Sequence, residues 1–229
     1  MNIRDRILIA LIALLMAGVA SSQTYPSFPG GVSDQATLRT QERVEELYTS
    51  GAYDRAYFIY RNELAPKGDK YAQYMIGYMH FSGTGVPEDP AVALAWYRLA
   101  AERGEPSIEM ARDELLKTLS PTQIATADGL FAELKSELSD RVLIYELVQQ
   151  DLQILRDSVG HGPMTVIDRR YGYISGAQYY EFIRKRLSVR LSYLKSHVDV
   201  VDVADTGTLE LAQIESEIKE LIAEIERRQ

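Results

Sequence analysis

The sequence predicts an all-α protein, in which a short α-solenoid of antiparallel helix hairpins precedes long C-terminal helices. Apolar residues recur at helical spacing over most of the 229-residue chain and are interrupted by short Gly and Pro turns. One pattern returns after thirty-six residues, a period typical of stacked helical hairpins. With 46% hydrophobic residues, a chain of this length can bury a sizeable core, which excludes intrinsic disorder.

The composition also excludes several classes of function. The chain has no Cys, so it can form no disulfide, no thiolate metal site and no thiol nucleophile. Its three histidines, His80, His161 and His197, are isolated and form no zinc-binding pair. The formal net charge of −8 gives no general reason to expect nucleic acid, because phosphate binding needs clustered Lys and Arg. We therefore predict no cofactor, no metal and no nucleic-acid partner.

Residues 1–22 are predicted to be a cleavable secretory signal peptide. Arg4 and Arg6 precede an apolar run from Ile7 to Ala17, and small residues follow it. The run is shorter than the roughly twenty residues that a membrane-spanning helix needs. Residues 23–35, rich in Pro and Gly, are predicted to be a flexible leader. We expect the mature protein in the periplasm or secreted, neither a lipoprotein nor membrane-spanning.

Residues 36–119 are predicted to hold the helical repeats. The shift of thirty-six residues pairs an aromatic residue, a small residue and a glycine with their equivalents: Tyr60 with Trp96, Ala65 with Ala101, and Gly68 with Gly104. The glycines can adopt the left-handed conformation that ends a helix. The alanines allow neighbouring helices to approach closely, and the aromatic rings are expected to fill the space between them.

The second repeat unit, residues 72–107, is the clearer of the two. Its motif runs through Ala72, Ile76-Gly77, Gly83-Thr84-Gly85-Val86, Asp89, Ala93, Trp96-Tyr97, Ala100-Ala101 and Gly104. This motif closely resembles the Sel-1-like repeat, a relative of the tetratricopeptide repeat, with His80 at a position where that family usually has an aromatic residue. The first unit, about residues 41–70, is more degenerate.

The resemblance implies an exported, non-enzymatic interaction or scaffold module of the bacterial cell envelope, which binds a peptide or protein partner on the solenoid face. In the clear repeat, Gln73, Tyr74 and Tyr78 are predicted to face outward and contact that partner. A hydrolase is the alternative, since some exported, cysteine-rich relatives have been labelled as β-lactamases. This chain, however, has no Cys, no Ser-x-x-Lys with its supporting motifs and no Gly-x-Ser-x-Gly elbow.

Two short features of the repeat invite a catalytic interpretation. Gly83-Thr84-Gly85-Val86 could be taken for a phosphate loop, but it lies between two predicted helices and no Lys-Ser or Lys-Thr follows it. We predict a turn. His80 has no Ser, Asp or metal-binding partner at a useful spacing, so we predict a half-buried packing residue and no catalytic residue in the chain.

Residues 120–158 are predicted to be capping helices. Ser120 is the predicted N-cap, with Pro121 in the first turn and Gln123 placed to complete a capping box. The segment forms one long helix or two that break near Ser139-Asp140, and its predicted buried stripe is Val148, Leu152, Leu155 and Val159. Because a solenoid generally needs about three repeats, we expect these helices to cover its open end.

Residues 159–229 form a predicted C-terminal helical region. Gly160 to Ser175 is predicted to be a loop or a short strand pair, with one short strand near 164–168 and another further on at 198–203. Between them, Gly176 to Val198 is predicted to be a helix whose apolar residues are Ile183, Leu187, Leu191, Leu194 and Val198.

The final segment, 208–227, is a predicted coiled-coil helix. Its apolar residues step three and four along one seam: Leu211, Ile214, Ile218, Leu221 and Ile225. Two heptads alone are marginal, so the seam must pack on its own chain or on a partner's, which leaves a homodimer open.

A basic, Tyr-rich segment precedes that helix. Between Asp168 and His197 there are seven basic residues and two acidic ones, interleaved with Tyr and Phe. Two interpretations remain open: pairing with the acidic C-terminal helix of the same chain, or contact with an anionic component of the envelope. For the second interpretation the candidate residues are Arg184, Arg186 and Arg190.

Overall fold

The computed structural model describes four stretches of the chain: residues 35–158, 165–168, 172–196 and 206–228. The predicted signal peptide, the leader as far as residue 34, and the predicted strand at 198–203 lie outside these stretches, as do His161 and His197. Within them, no helix combines the length and the apolar character needed to cross a membrane. The chain divides into two compact units, with the division between Leu143 and Ile144.

The first unit is helical throughout its described length. Its helices are α1 (Gln35–Thr49), α2 (Tyr53–Ile59), α3 (Lys70–Ser82), α4 (Pro90–Ala100), α5 (Pro106–Leu116) and α6 (Pro121–Leu138). A π-helical turn, Tyr60–Leu64, and a 3₁₀ turn, Ala65–Lys67, continue α2, and a second 3₁₀ turn, Ala101–Arg103, continues α4. Helix α4 is central, because it packs against α3, α5 and α6.

The repeat predicted at a spacing of thirty-six residues is present in the backbone. Gly68 and Gly104 each follow a 3₁₀ turn and adopt left-handed conformations, with φ of 74° and 68°. Tyr60 and Trp96 are buried in the core of the first unit, as are Ala65 and Ala101. The two units therefore end in the same way although their sequences differ, because the glycines permit the same left-handed turn.

Local sequence sets the helix starts in this unit. Asp69 caps α3 by accepting a hydrogen bond from the Ala72 amide at 3.0 Å, and Asp89 caps α4 in the same manner. Proline occupies the first turn of α4, α5 and α6, where no hydrogen bond is lost. The capping box predicted for Ser120 and Gln123 is present at the start of α6. Ser139, in an extended conformation, separates α6 from the next helix, so the predicted break is confirmed.

The second unit, from residue 144 onward, combines helices with a small hairpin. Helix α7 (Asp140–Ser158) begins before the division; α8 (Gly176–Ser196) and α9 (Thr206–Arg228) follow. Strands β1 (Thr165–Asp168) and β2 (Gly172–Ser175) pair antiparallel, with Val166 opposite Ile174. The strand pair, rather than the loop, is thus the structure of this segment.

The predicted apolar stripes of the second unit are buried within the described residues. The buried members are Val148, Leu152, Leu155, Ile183, Leu187, Leu191, Leu194, Ile214 and Ile218. Leu221 is half-buried, whereas Val159 and Val198 lie outside the described residues. Because the central positions of the α9 seam are buried in a single chain, the structure agrees with packing on the chain itself.

Candidate functional site

Helix α3 carries the partner-binding residues predicted for the repeat, but two of the three are not exposed. Gln73 and Tyr74 have exposed fractions of 0% and 1%, so the prediction that they face outward is wrong. Gln73 donates to the Ala65 carbonyl at 3.3 Å, and Tyr74 stacks on Tyr97 with a centroid distance of 5.1 Å. The prediction assumed one packed face, whereas α3 is packed against both α4 and the turns that follow α2.

The third predicted residue, Tyr78, remains partly accessible and belongs to a larger cluster. Half-buried tyrosines on α1 and α3 share one face with a carboxylate and with an exposed tyrosine that begins α2; we call this the tyrosine face, and its members are Glu45, Tyr48, Tyr53, Tyr71 and Tyr78. The rings of Tyr48 and Tyr53 meet edge to face at 5.2 Å, and Tyr78 lies close enough to affect both electrostatically. The face is therefore continuous across α1 and α3.

Glu45 holds the other end of this face together. Its carboxylate accepts hydrogen bonds from the Tyr60 hydroxyl at 2.7 Å and, more weakly, from the Tyr71 hydroxyl at 3.5 Å. Burial raises the pKa of Glu45, and nearby Asp69 adds to the rise, although the two tyrosine hydrogen bonds oppose it. Burial also raises the pKa values of Tyr48 and Tyr78, so both remain neutral hydroxyls at physiological pH.

Close backbone approaches position the tyrosines. A Cβ atom at Gly77 would lie 2.6 Å from Cδ1 of Tyr97, so α3 and α4 touch at a point where only glycine fits. Gly85 has a φ of 73°, and a Cβ there would lie 2.7 Å from Cβ of Tyr53. The segment Gly83–Val86 is thus the predicted turn between α3 and α4, and it presses against the start of α2.

His80 is the half-buried packing residue that the sequence predicts. Its Nε2 atom lies 3.1 Å from the Tyr57 hydroxyl, and the two rings meet edge to face at 5.5 Å. Burial lowers the pKa of His80, which favours the neutral imidazole. In the described stretches, no three His, Asp or Glu side chains are gathered in a way that could hold a metal ion.

A buried ion cluster fixes the far end of the repeat. The Lys70 ammonium is 4% exposed and contacts the carboxylates of Glu102 at 2.7 Å and Asp140 at 3.1 Å. Arg103 donates to both oxygens of Asp140, at 2.7 and 2.8 Å, and to the Gly68 carbonyl. The cluster therefore ties both left-handed turns of the repeat to the first residue of α7.

The basic residues predicted as a second contact surface have different environments. Arg190 is buried and Arg186 half-buried, and both pair with the buried carboxylate of Asp151 on α7. Arg184 is more exposed and lies 3.7 Å from Glu181. Lys195 pairs with Glu215 of α9. The interpretation as pairing within the chain thus holds for part of the helix, although the carboxylate that engages the buried arginines lies on α7 rather than on α9.

Sequence reasoning missed most of the tyrosine face. Tyr71 and Tyr78 are seven residues apart on one helix, a spacing that places both on one side, and this signal was available. Glu45 and Tyr48 have the same relation at a spacing of three. The juxtaposition of α1 and α3 was not available, because it depends on packing between elements.

The first unit, with its succession of helices ended by left-handed glycines, defines an α-helical repeat protein. More specifically, residues 70–105 match the Sel1 repeat, so α3, α4 and the following turn form a Sel1 repeat. Repeats of this family generally mediate protein–protein interaction. No curated protein and no solved structure matches the chain.

Proposed function

We propose that the protein is an exported, non-enzymatic interaction module that binds a peptide segment of a protein partner on its tyrosine face. The observation that carries the proposal is the continuous face of half-buried tyrosines on α1 and α3, part of which lies within the Sel1 repeat. The signal-peptide pattern of residues 1–22 supports export to the periplasm or the exterior.

The physical properties of the face suit peptide binding. Half-buried tyrosines offer an apolar ring and a neutral hydroxyl, and such residues dominate the binding energy of many interfaces. Their rings are already held by neighbours, as in the Tyr48–Tyr53 contact, so little side-chain freedom is lost on binding. Glu45 adds one carboxylate that can accept a hydrogen bond from a partner.

Peptide selection gives a direct test. Peptides are selected from a random display library against the purified protein, and the dissociation constant of the best one is measured by fluorescence anisotropy. We expect Tyr78→Ala to weaken binding at least about tenfold, because truncation removes a central ring. Tyr78→Phe should retain most of the affinity, since it keeps the ring.

Phe58→Ala is the matched control. Phe58 is 60% exposed on α2 and is not a member of the tyrosine face, so its loss should leave the affinity unchanged. Thermal melting by circular dichroism establishes that each variant is folded. Equal losses for Tyr78→Ala and Phe58→Ala, or no loss for either, would overturn the proposed site.

A further inference from the structure

The second unit contains a groove that the proposed function does not use. It lies between α8 and α9 and encloses about 710 Å³, within the range of ordinary binding sites. Four aliphatic side chains contribute to its lining, Leu187 and Leu191 from α8 and Ile218 and Ile222 from α9. The aliphatic residues extend the buried stripes of the two helices to the surface.

Charged side chains surround this apolar lining. Arg184, Lys185 and Lys195 come from α8 and Lys219 from α9, against two acidic residues, Glu181 and Glu215. The groove is therefore net positive although the whole chain has a formal charge of −8.

The acidic residues offset the rim only partly. Glu181 lies 3.6 Å from Lys185 and 3.7 Å from Arg184, so one carboxylate serves two cations. Glu215 pairs with Lys195. Among the described residues, Lys219 has no ion pair, and its position on α9 places it across the groove from the cations of α8.

We infer that the groove between α8 and α9 binds an acidic amphipathic helix of a partner protein. Apolar side chains on one face of such a helix would lie on the aliphatic residues, and its carboxylates would meet the basic rim. Two packed helices with an apolar seam between them are a common receptor for a third helix. From Glu181 to Lys195 the groove extends about 21 Å, which accommodates a helix of about 14 residues.

The combination of charge and apolar lining favours this occupant over other anions. A purely anionic polymer would gain the rim contacts but leave the aliphatic residues uncovered. A neutral helix would cover them and leave the net positive rim without a counter-charge. An acidic amphipathic helix satisfies both features.

The test uses the full chain and a defined probe. The probe is a fluorescein-labelled peptide of Glu and Leu, about 18 residues long, with Leu at helical spacing; a scrambled peptide of the same composition is its control. We expect the amphipathic peptide to bind and the scrambled one to bind at least about tenfold more weakly. Raising the salt concentration should weaken binding, because exposed charges form the rim.

Variants locate the site. Lys219→Glu should weaken binding about fivefold to tenfold, because it replaces attraction by repulsion at the rim. Lys135→Glu, an identical change at an exposed position of α6, should have no effect. Ile222→Ser should also weaken binding, since it removes part of the half-buried apolar lining.

Several outcomes would overturn the inference. One is the absence of binding, and another is equal binding of the two peptides or equal effects of the two lysine variants. Binding to vesicles of phosphatidylglycerol without binding to the peptide would indicate a lipid surface instead. Sedimentation showing a dimer that Ile222→Ser dissociates would indicate a second copy of this chain as the occupant.

Discussion

Both units bury an aspartate of α7 between two cations, but the two arrangements differ. In the first unit, Asp140 meets Lys70 and Arg103, whose side chains are 4% and 9% exposed, and Glu102 shares Lys70. In the second, Asp151 meets Arg190 and Arg186, and the latter is 23% exposed. The first cluster balances two carboxylates against two cations away from water, whereas the second keeps one arginine partly solvated. Buried charge should therefore be more critical to the first unit.

The largest expected effect concerns the independence of the first unit. A fragment of residues 35–143 keeps α6 on α4 and Asp140 in its cluster, so we expect a cooperative thermal melt. A fragment of residues 35–118 exposes the face of α4 that α6 covers and should be molten or insoluble, because a repeat needs a neighbour to bury its open face. Circular dichroism melts compare them, and a sharp transition in the shorter fragment would contradict the capping role of α6.

The two aspartates provide the next comparison. Asp140→Ala should cost about 3–5 kcal/mol, because it leaves Lys70 and Arg103 with fewer partners in a buried site. Asp151→Ala should cost less, about 2–3 kcal/mol, since Arg186 can reach water. Urea unfolding measures both, and fluorescence of Trp96, the single Trp of the chain, reports on the first unit.

Asp128→Ala is the control for these variants, because the pair of Asp128 with Arg98 is largely exposed and should contribute less than about 1 kcal/mol. A larger loss for Asp151→Ala than for Asp140→Ala would reverse the comparison between the units.

Two glycines separate close packing from helix propensity within the first unit. Gly77→Ala places a Cβ atom 2.6 Å from the Tyr97 ring and should cost about 1–3 kcal/mol. Gly129→Ala, in the interior of α6, meets no atom within 4 Å and should stabilise by about 0.5–1 kcal/mol. Urea midpoints measure the two shifts, and shifts of the same sign would show that Gly77 is not a packing requirement.

The smallest expected effect is a pH dependence of opposite sign at two carboxylates of the first unit. Burial acts to raise the pKa of Asp140, but the hydrogen bonds and charges of Arg103 and Lys70 outweigh it, so the net pKa is lowered. Asp140 therefore stabilises the fold above its ordinary pKa of 3.8, and this stability is lost as the pH falls through the lowered value.

Glu45 has a raised pKa, so the stability that it contributes is present below its ordinary value of 4.5 and is lost as the pH rises through the raised value. Glu45→Gln should thus stabilise the protein at neutral pH, by up to about 1 kcal/mol, and flatten the loss of stability between pH 4.5 and neutrality. Unfolding free energies measured across this range for both proteins test the sign. A variant less stable than the wild type at pH 7 would show that ionised Glu45 is favourably placed.

The features predictable from sequence are those that depend on neighbours along the chain. The left-handed glycines, the capping box of Ser120 and the apolar stripes of α7 and α8 each follow from local spacing. The exposure of Gln73 and Tyr74 could not be predicted correctly, because α3 is packed on more than one side.

The charge clusters depend on contacts between residues that are distant in the sequence. Lys70 and Asp140 are seventy residues apart, and nothing near either residue indicates the other. The same holds for Asp151 and Arg190, so the carboxylate that neutralises part of the basic helix was expected on the wrong helix.

The most direct test of the proposed interaction face is hydrogen–deuterium exchange of the purified protein with and without the peptide selected from the random library. Binding on the tyrosine face predicts slowed exchange in α1 and α3, around Tyr48, Tyr71 and Tyr78, with α8 and α9 unchanged. Slowed exchange confined to α8 and α9, or to α5 and α6, would contradict the assignment of the first unit's tyrosine face as the partner-binding surface.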